Sequence, residues 1–159
     1  MYVKQLRLRE RLQAHSGEFV IWEGGLGAAA NPITVLQSAR DLSGRIRIIS
    51  FDHTVAPLQF ALQHAENLQY LRGYEPHLQR LLVEGGVRFN HDQLNVTWDL
   101  HVADFPSFIT KPIMQQLSKP HVIMFDAFSP ATNPEMWTLS LFEHLFALLD
   151  RHRPCASAH

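Results

Sequence analysis

The chain has 159 residues, 46% of them hydrophobic and 18% charged, with a formal net charge of −1. That is enough for one domain, residues 1–159, with a core of its own, and a balance this close to neutral lacks the basic excess with which nucleic-acid binders neutralise phosphates. A single cysteine, Cys155, excludes an internal disulfide and fits a reducing cytoplasm. The opening Met1-Tyr2-Val3-Lys4-Gln5-Leu6-Arg7 has no signal-peptide core, and no apolar run approaches bilayer-spanning length, so neither export nor membrane insertion is expected.

The basic cluster Lys4, Arg7, Arg9 and Arg11 opens the chain, and its spacing predicts a solvated first helix with Arg7 and Arg11 on one face. Phe19-Val20-Ile21-Trp22-Glu23-Gly24-Gly25-Leu26-Gly27 then reads as a buried parallel strand that turns into a ligand loop. The acid is informative. A dinucleotide fingerprint requires a third glycine, a position held here by Ala30, and a pyrophosphate would be repelled by Glu23, which suits a cationic ligand better. A helix follows over residues 28–42, with Pro32 in its first turn, and Gly44 ends it. Residues 46–51 form a second strand ending at Asp52, and residues 56–71 a second helix with Leu58, Ala61, Leu62, Ala65 and Leu68 on one face.

A further helix over residues 76–83 leads into Gly85-Gly86, and residues 87–89 and 96–102 are strands around a turn at His91-Asp92. The second of these, the third main strand, is expected to end at Asp104. Residues 106–117 are helical apart from Pro112, residues 121–125 are a strand ending at Asp126, and residues 134–149 are an amphipathic helix for which Asn133 is the expected N-cap. Strands alternating with helices define an α/β fold, a mostly parallel sheet covered on both faces.

Ligands of such sheets bind beyond the carboxyl ends of the strands, where Glu23, Asp52, Asp104 and Asp126 all fall. For one acid, capping a helix or stopping a strand is an ordinary role; four at equivalent positions favour a site. Asp52 is suited to accept from two ribose hydroxyls, Asp104 with Phe105 to meet an adenine, and Glu23 to act near an ammonium, directly or through water. The ten histidines show no metal-ligand spacing and no G-x-S-x-G elbow occurs, so neither a metal site nor a serine hydrolase is expected.

Glu23, Gly25 and Gly27 resemble the E-x-G-x-G pattern with which class I methyltransferases hold S-adenosylmethionine, and a more specific segment follows the fourth main strand. Asp126-Ala127-Phe128-Ser129-Pro130-Ala131-Thr132-Asn133-Pro134-Glu135-Met136-Trp137 resembles the D-G-F-A-P-x-x-N-P-x-M-W segment of the MnmC-like methyltransferases, with Ala127 for the glycine and Ser129 for the alanine. Glu23, Gly25, Gly27 and Asn31 are similar to that family's E-x-G-x-G-x-x-x-N, and Ser50-Phe51-Asp52-His53 to its S-F-E-K. The likeness runs from about residue 20 to residue 149.

The resemblance implies a Rossmann-like class I methyltransferase fold and S-adenosyl-L-methionine as cofactor. It further implies methyl transfer to the aminomethyl group of a modified wobble uridine in tRNA. Glu23, Gly25, Gly27, Asn31, Asp52, His53, Asp104 and Phe105 would then hold the cofactor, and Phe128, Pro130, Asn133 and Trp137 the substrate. Asp126 would be the catalytic group that orients the attacking amine; core packing is the competing reading for Trp137. Against the family pattern, residues 153–159 start the expected fifth main strand and then stop, with no room for an FAD-dependent oxidase domain, so a truncated core with an exposed sheet edge, open to homodimer pairing, is expected. A small-amine methyltransferase, a non-catalytic cofactor-binding fragment and, more weakly, an NAD-dependent oxidoreductase stay open as alternatives.

Overall fold

A computed structural model describes residues 2–149. It begins with two short helices, α1 (Tyr2–Gln5) and α2 (Leu8–Ala14). Arg7 between them adopts a left-handed conformation (φ 49°), so Arg7 and Arg11 do not share one continuous helix face. The basic cluster is put to local use: Arg9 pairs with Asp41, and Arg11 donates to the His121 carbonyl at 2.7 Å.

The alternating elements are β1 (Glu18–Gly24), α3 (Ala30–Ser38), β2 (Gly44–Asp52), α4 (Ala56–Gln63) and α5 (Glu75–Glu84). They continue with β3 (Gly86–His91), β4 (Leu94–Val102), α6 (Phe105–Phe108), β5 (Val122–Phe125) and α7 (Leu139–Leu148). The strands form one sheet in the order β3-β4-β2-β1-β5, parallel throughout except for the β3-β4 hairpin. Chain order therefore reverses beside β1, which lies between β2 and β5, and such a reversal opens a crevice at the carboxyl ends of the strands.

Side-chain alternation gives the sheet two faces. Phe19, Ile21, Ile46, Ile48, Leu94, Val96, Trp98, Val122 and Met124 face one core with residues of α2 to α5. Val20, Trp22, Ile49 and Phe51 face a second core with Phe105, Phe108, Met114, Met136, Leu141 and Leu145. Trp22 is fixed further by its indole N–H, which donates to the Ser118 carbonyl at 3.0 Å.

The helices differ in extent from what periodicity predicts: α5 runs one residue beyond each end of the expected 76–83, whereas the stretch expected to be helical over 106–117 is α6 and a 3-10 turn, Pro112–Gln116, separated by the approach to Pro112. The one expected over residues 28–42 is Ala30–Ser38, and the one over 56–71 stops at Gln63 and continues as two 3-10 turns. The last expected helix is split into a 3-10 turn, Pro134–Trp137, and α7. Its N-cap is Thr138, whose Oγ1 accepts from the Leu141 amide at 3.2 Å, whereas Asn133 makes no capping bond. The strand expected over residues 153–159 lies outside the described residues.

Candidate functional site

Two loops meet where the sheet order reverses. Gly25 donates its amide to the Phe51 carbonyl at 2.9 Å, and Asp126 donates its amide to the Gly24 carbonyl at 2.9 Å, so the loop after β1 is tied to the ends of both β2 and β5. A Cβ on Gly25 would lie 2.7 Å from the Asp126 carbonyl oxygen, and its φ of +105° is one that side-chain-bearing residues rarely adopt. Glycine is required here by both space and conformation.

Beside this junction opens a cleft of about 720 Å3, lined by Gly25, Gly27, Asp52, His53, Asp104, Phe105, Asp126, Phe128 and Asn133 among the expected site residues. It falls within the range of pockets that bury small-molecule ligands. Phe51, Thr54, Pro57, Ala103, Ala127, Thr132, Glu135 and Met136 also line it. The sequence reading assigned none of these eight to the site; proximity to the motif acids was the signal available for Phe51, Thr54, Ala103 and Ala127, and position within the 126–137 segment for Thr132, Glu135 and Met136.

Each carboxylate is positioned by its own local structure. Asp52 Oδ2 accepts from the Gly27 amide at 3.0 Å, and Oδ1 lies 3.3 Å from both the Thr54 amide and the His53 Nδ1. The glycine loop and the acid at the tip of β2 thus hold one another across 25 positions of sequence. Asp104 caps α6, its Oδ2 accepting from the Ser107 amide at 3.2 Å and from the Ser107 hydroxyl. Asp126 Oδ2 accepts from Asn31 Nδ2 at 2.8 Å.

Four expected site residues stand elsewhere. Glu23 is fully buried and does not line the cleft. Being on the same face of β1 as Phe19 and Ile21, it points into the sheet's larger core. There the Trp98 indole donates to Ser50 Oγ at 2.9 Å, and Ser50 Oγ donates to Glu23 Oε2 at 2.8 Å, a relay across β4, β2 and β1. Glu23 Oε1 has no hydrogen-bond partner among the described residues. Burial pushes the carboxyl well above the usual range, Ser50 opposes this, and the nearby Asp126 and Asp52 raise it further. Its environment favours the neutral acid over the carboxylate.

Asn31 does not line the cleft either; its amide is spent on Asp126. Pro130 is exposed outside it. Trp137 packs edge-on against Phe125 at 5.5 Å and donates its indole N–H to the Phe128 carbonyl at 2.6 Å, so it shapes the loop that carries Phe128. Phe128 is 66% exposed at the cleft and Asn133 lies against the Glu135 carboxylate.

A mostly parallel sheet that reverses at β1, with a glycine loop and three carboxylates around the reversal, defines an α/β domain with a ligand-sized cleft at the carboxyl ends of its strands. Comparison with known proteins narrows the class. Residues 69–157, more than half of the chain, match a family model described as S-adenosyl-L-methionine-dependent methyltransferase, and the chain belongs to that family.

Relatives include the tRNA 5-methylaminomethyl-2-thiouridine biosynthesis bifunctional protein MnmC of Pseudomonas putida, 29% identical over 93% of this chain and 23% of that protein. The protein of the same name from Ectopseudomonas mendocina is 31% identical over 93% and 23%, and that from Aliivibrio fischeri 26% over 99% and 25%. The chain thus spans about a quarter of the length of these relatives. The crystal structure of MNMC2 from Aquifex aeolicus shares the fold, with a TM-score of 0.57 at 21% identity over 91% of this chain and 44% of that one. The resemblance to the MnmC-like methyltransferases stands, and the nicotinamide alternative has no support from it.

Proposed function

We propose that this chain binds S-adenosyl-L-methionine in the cleft beside β1 and transfers its methyl group to an amine nitrogen, the acceptor being the aminomethyl group of a modified wobble uridine in tRNA. The observation that carries the reading is the set of three carboxylates, Asp52, Asp104 and Asp126, gathered with the glycine loop around one cleft of about 720 Å3. Such a donor-poor, acceptor-rich lining fits a ligand with a ribose diol, an amino group and a cationic centre. The tRNA acceptor is supported by the names of the relatives.

The cofactor supplies an electrophilic methyl group on a sulfonium. Catalysis of its displacement rests on aiming a neutral amine lone pair along the breaking bond, and an ammonium cannot attack. Asp52, preset by the Gly27 amide, is the ribose acceptor; Asp104 and Phe105 form the adenine end, and His53 lies beside Asp52 at the rim. Asp126, held by Asn31, accepts a hydrogen bond from the acceptor amine and stabilises the positive charge that grows on nitrogen as the new bond forms. Phe128 offers an aromatic face to the base or to the cationic product. Glu23 acts from beneath the loop, through the relay from Trp98 and Ser50, instead of from the cleft surface.

The test is methyl transfer from labelled donor to tRNA that carries the unmethylated aminomethyl group. Label in tRNA, lost in Asp126→Asn, supports the proposal. Label in small amines alone would move the acceptor class, and cofactor binding without turnover on either would reduce the chain to a binding module.

A further inference from the structure

A second cleft, of about 270 Å3, lies at the opposite end of the sheet. The registers fix its place. His91 pairs with Leu94, the first residue of β4, and Leu94 pairs with Gly44, the first residue of β2, whereas the acidic cleft surrounds the last residues of these strands. Across the nine residues of β4 the two ends are separated by roughly 25 Å.

Four parts of the chain each bring one basic side chain to this cleft: Arg40 from just beyond α3, Arg72 from the turn before α5, His77 from α5 and His91 from β3. Arg72 is exposed and forms no ion pair among the described residues. Arg40 meets Asp92, also in the lining, through Nε at 3.1 Å, an arrangement that engages one edge of its guanidinium. The imidazoles are fixed by packing: His77 stacks on Phe89 at 4.0 Å with planes 10° apart, and His91 Nε2 lies 3.3 Å from the Tyr74 hydroxyl.

We infer that this cleft is an anion site for a phosphate group, borne either by a polynucleotide backbone or as free phosphate. Guanidinium forks and imidazoles converging from four elements match a tetrahedral oxyanion better than a planar monovalent carboxylate. The one carboxylate of the lining, Asp92, sits against Arg40.

The histidines add a proton-linked component. His77 is held below the usual imidazole range by burial, then by Arg80 and His91; His91 is lowered by burial and by Arg40, against smaller opposing effects from Asp92 and the Leu36 carbonyl. The other ionisable groups around them are Arg72 and Tyr74. Both rings are therefore biased toward the neutral form, and an arriving anion stabilises the charged one, so binding is linked to proton uptake by the imidazoles.

The test is a titration of the full chain with inorganic phosphate, read from the imidazole resonances of His77 and His91, with chloride at matched ionic strength as control. Phosphate should move both resonances and raise both titration midpoints, and Arg72→Gln should weaken the effect roughly fivefold or more while leaving the fold intact. A parallel titration with a short RNA lacking terminal phosphates separates the sources: tighter binding than inorganic phosphate indicates the backbone, weaker binding the free ion. Resonances that stay fixed, an equal response to chloride, or an unchanged response in Arg72→Gln would overturn the inference. No readout involves methyl transfer, so the outcome is independent of the proposed reaction.

Discussion

At the carboxyl ends of the parallel strands Asp52, Asp104 and Asp126 surround one cleft, whereas at the amino ends Arg40, Arg72, His77 and His91 surround another. The two are built differently. The acids stand at or just beyond the ends of strands, so backbone ladders that continue past β1 and β4 onto β2 set their separation: the Gly25 amide bonds to Phe51 and the Ala103 amide to Asp52. The basic cleft is assembled from a helix end, a turn, a helix and a hairpin. Rigid strand tips suit the placement of reacting groups; a cleft between surface elements suits capture of an ion.

The sharpest way to break the contrast is at Asp126. Asp126→Asn should leave cofactor affinity within a few fold yet depress methyl transfer roughly 10²–10⁴-fold, the range of a positioned catalytic group. Parallel calorimetry and turnover would show it. A proportional loss of both would place Asp126 on the cofactor.

Gly25→Ala attacks the junction itself. The added Cβ meets the Asp126 carbonyl at 2.7 Å in a positive-φ conformation, so stability should fall on the order of 2–3 kcal/mol in urea denaturation. A change near zero would mean that the β1 and β5 loops are not locked together.

Asn31→Ala sharpens the division of labour. Because its amide bonds Asp126 and does not line the cleft, turnover should drop roughly tenfold with cofactor affinity nearly unchanged. Replacement by Gln, whose amide is displaced by one methylene, should restore little.

The smallest effect concerns Glu23 and depends on pH. Its folded-state value is raised above the unfolded one, so its contribution to stability is present below about pH 4.5 and is lost as pH rises through the folded value. Glu23→Gln removes that titration. The stability of the wild-type chain relative to the variant should therefore decline as pH rises above about 4.5; a difference that stays constant above that pH would mean that Glu23 titrates normally.

Much of the acidic end was legible in the sequence, because each acid closes or closely follows an apolar run and the motif segments are contiguous. Phe51-Asp52 and Phe125-Asp126 announce a strand and its tip together. What Glu23 does was less legible. Period-two alternation does place it on the face of Phe19 and Ile21, but Ser50, which donates to it, and Trp98, which donates to Ser50, lie 27 and 75 positions away and only strand pairing unites them. The helix ends were lost to local geometry: the 3-10 turn ends at Trp137, Thr138 is extended, and its hydroxyl rather than the Asn133 side chain caps α7. The basic cleft left no sequence signature, since Arg40 and His91 are 51 positions apart and meet only through the β3-β4 hairpin.

Calorimetric titration with S-adenosyl-L-methionine, on the unchanged chain and on Asp52→Ala, tests most directly whether the acidic cleft holds the methyl donor. The unchanged chain should bind it in preference to NAD, and loss of Asp52 should weaken binding at least roughly tenfold by removing charge-assisted bonds worth about 1.5–3 kcal/mol each. Equal affinity in the two proteins, or a preference for NAD, would contradict the assignment.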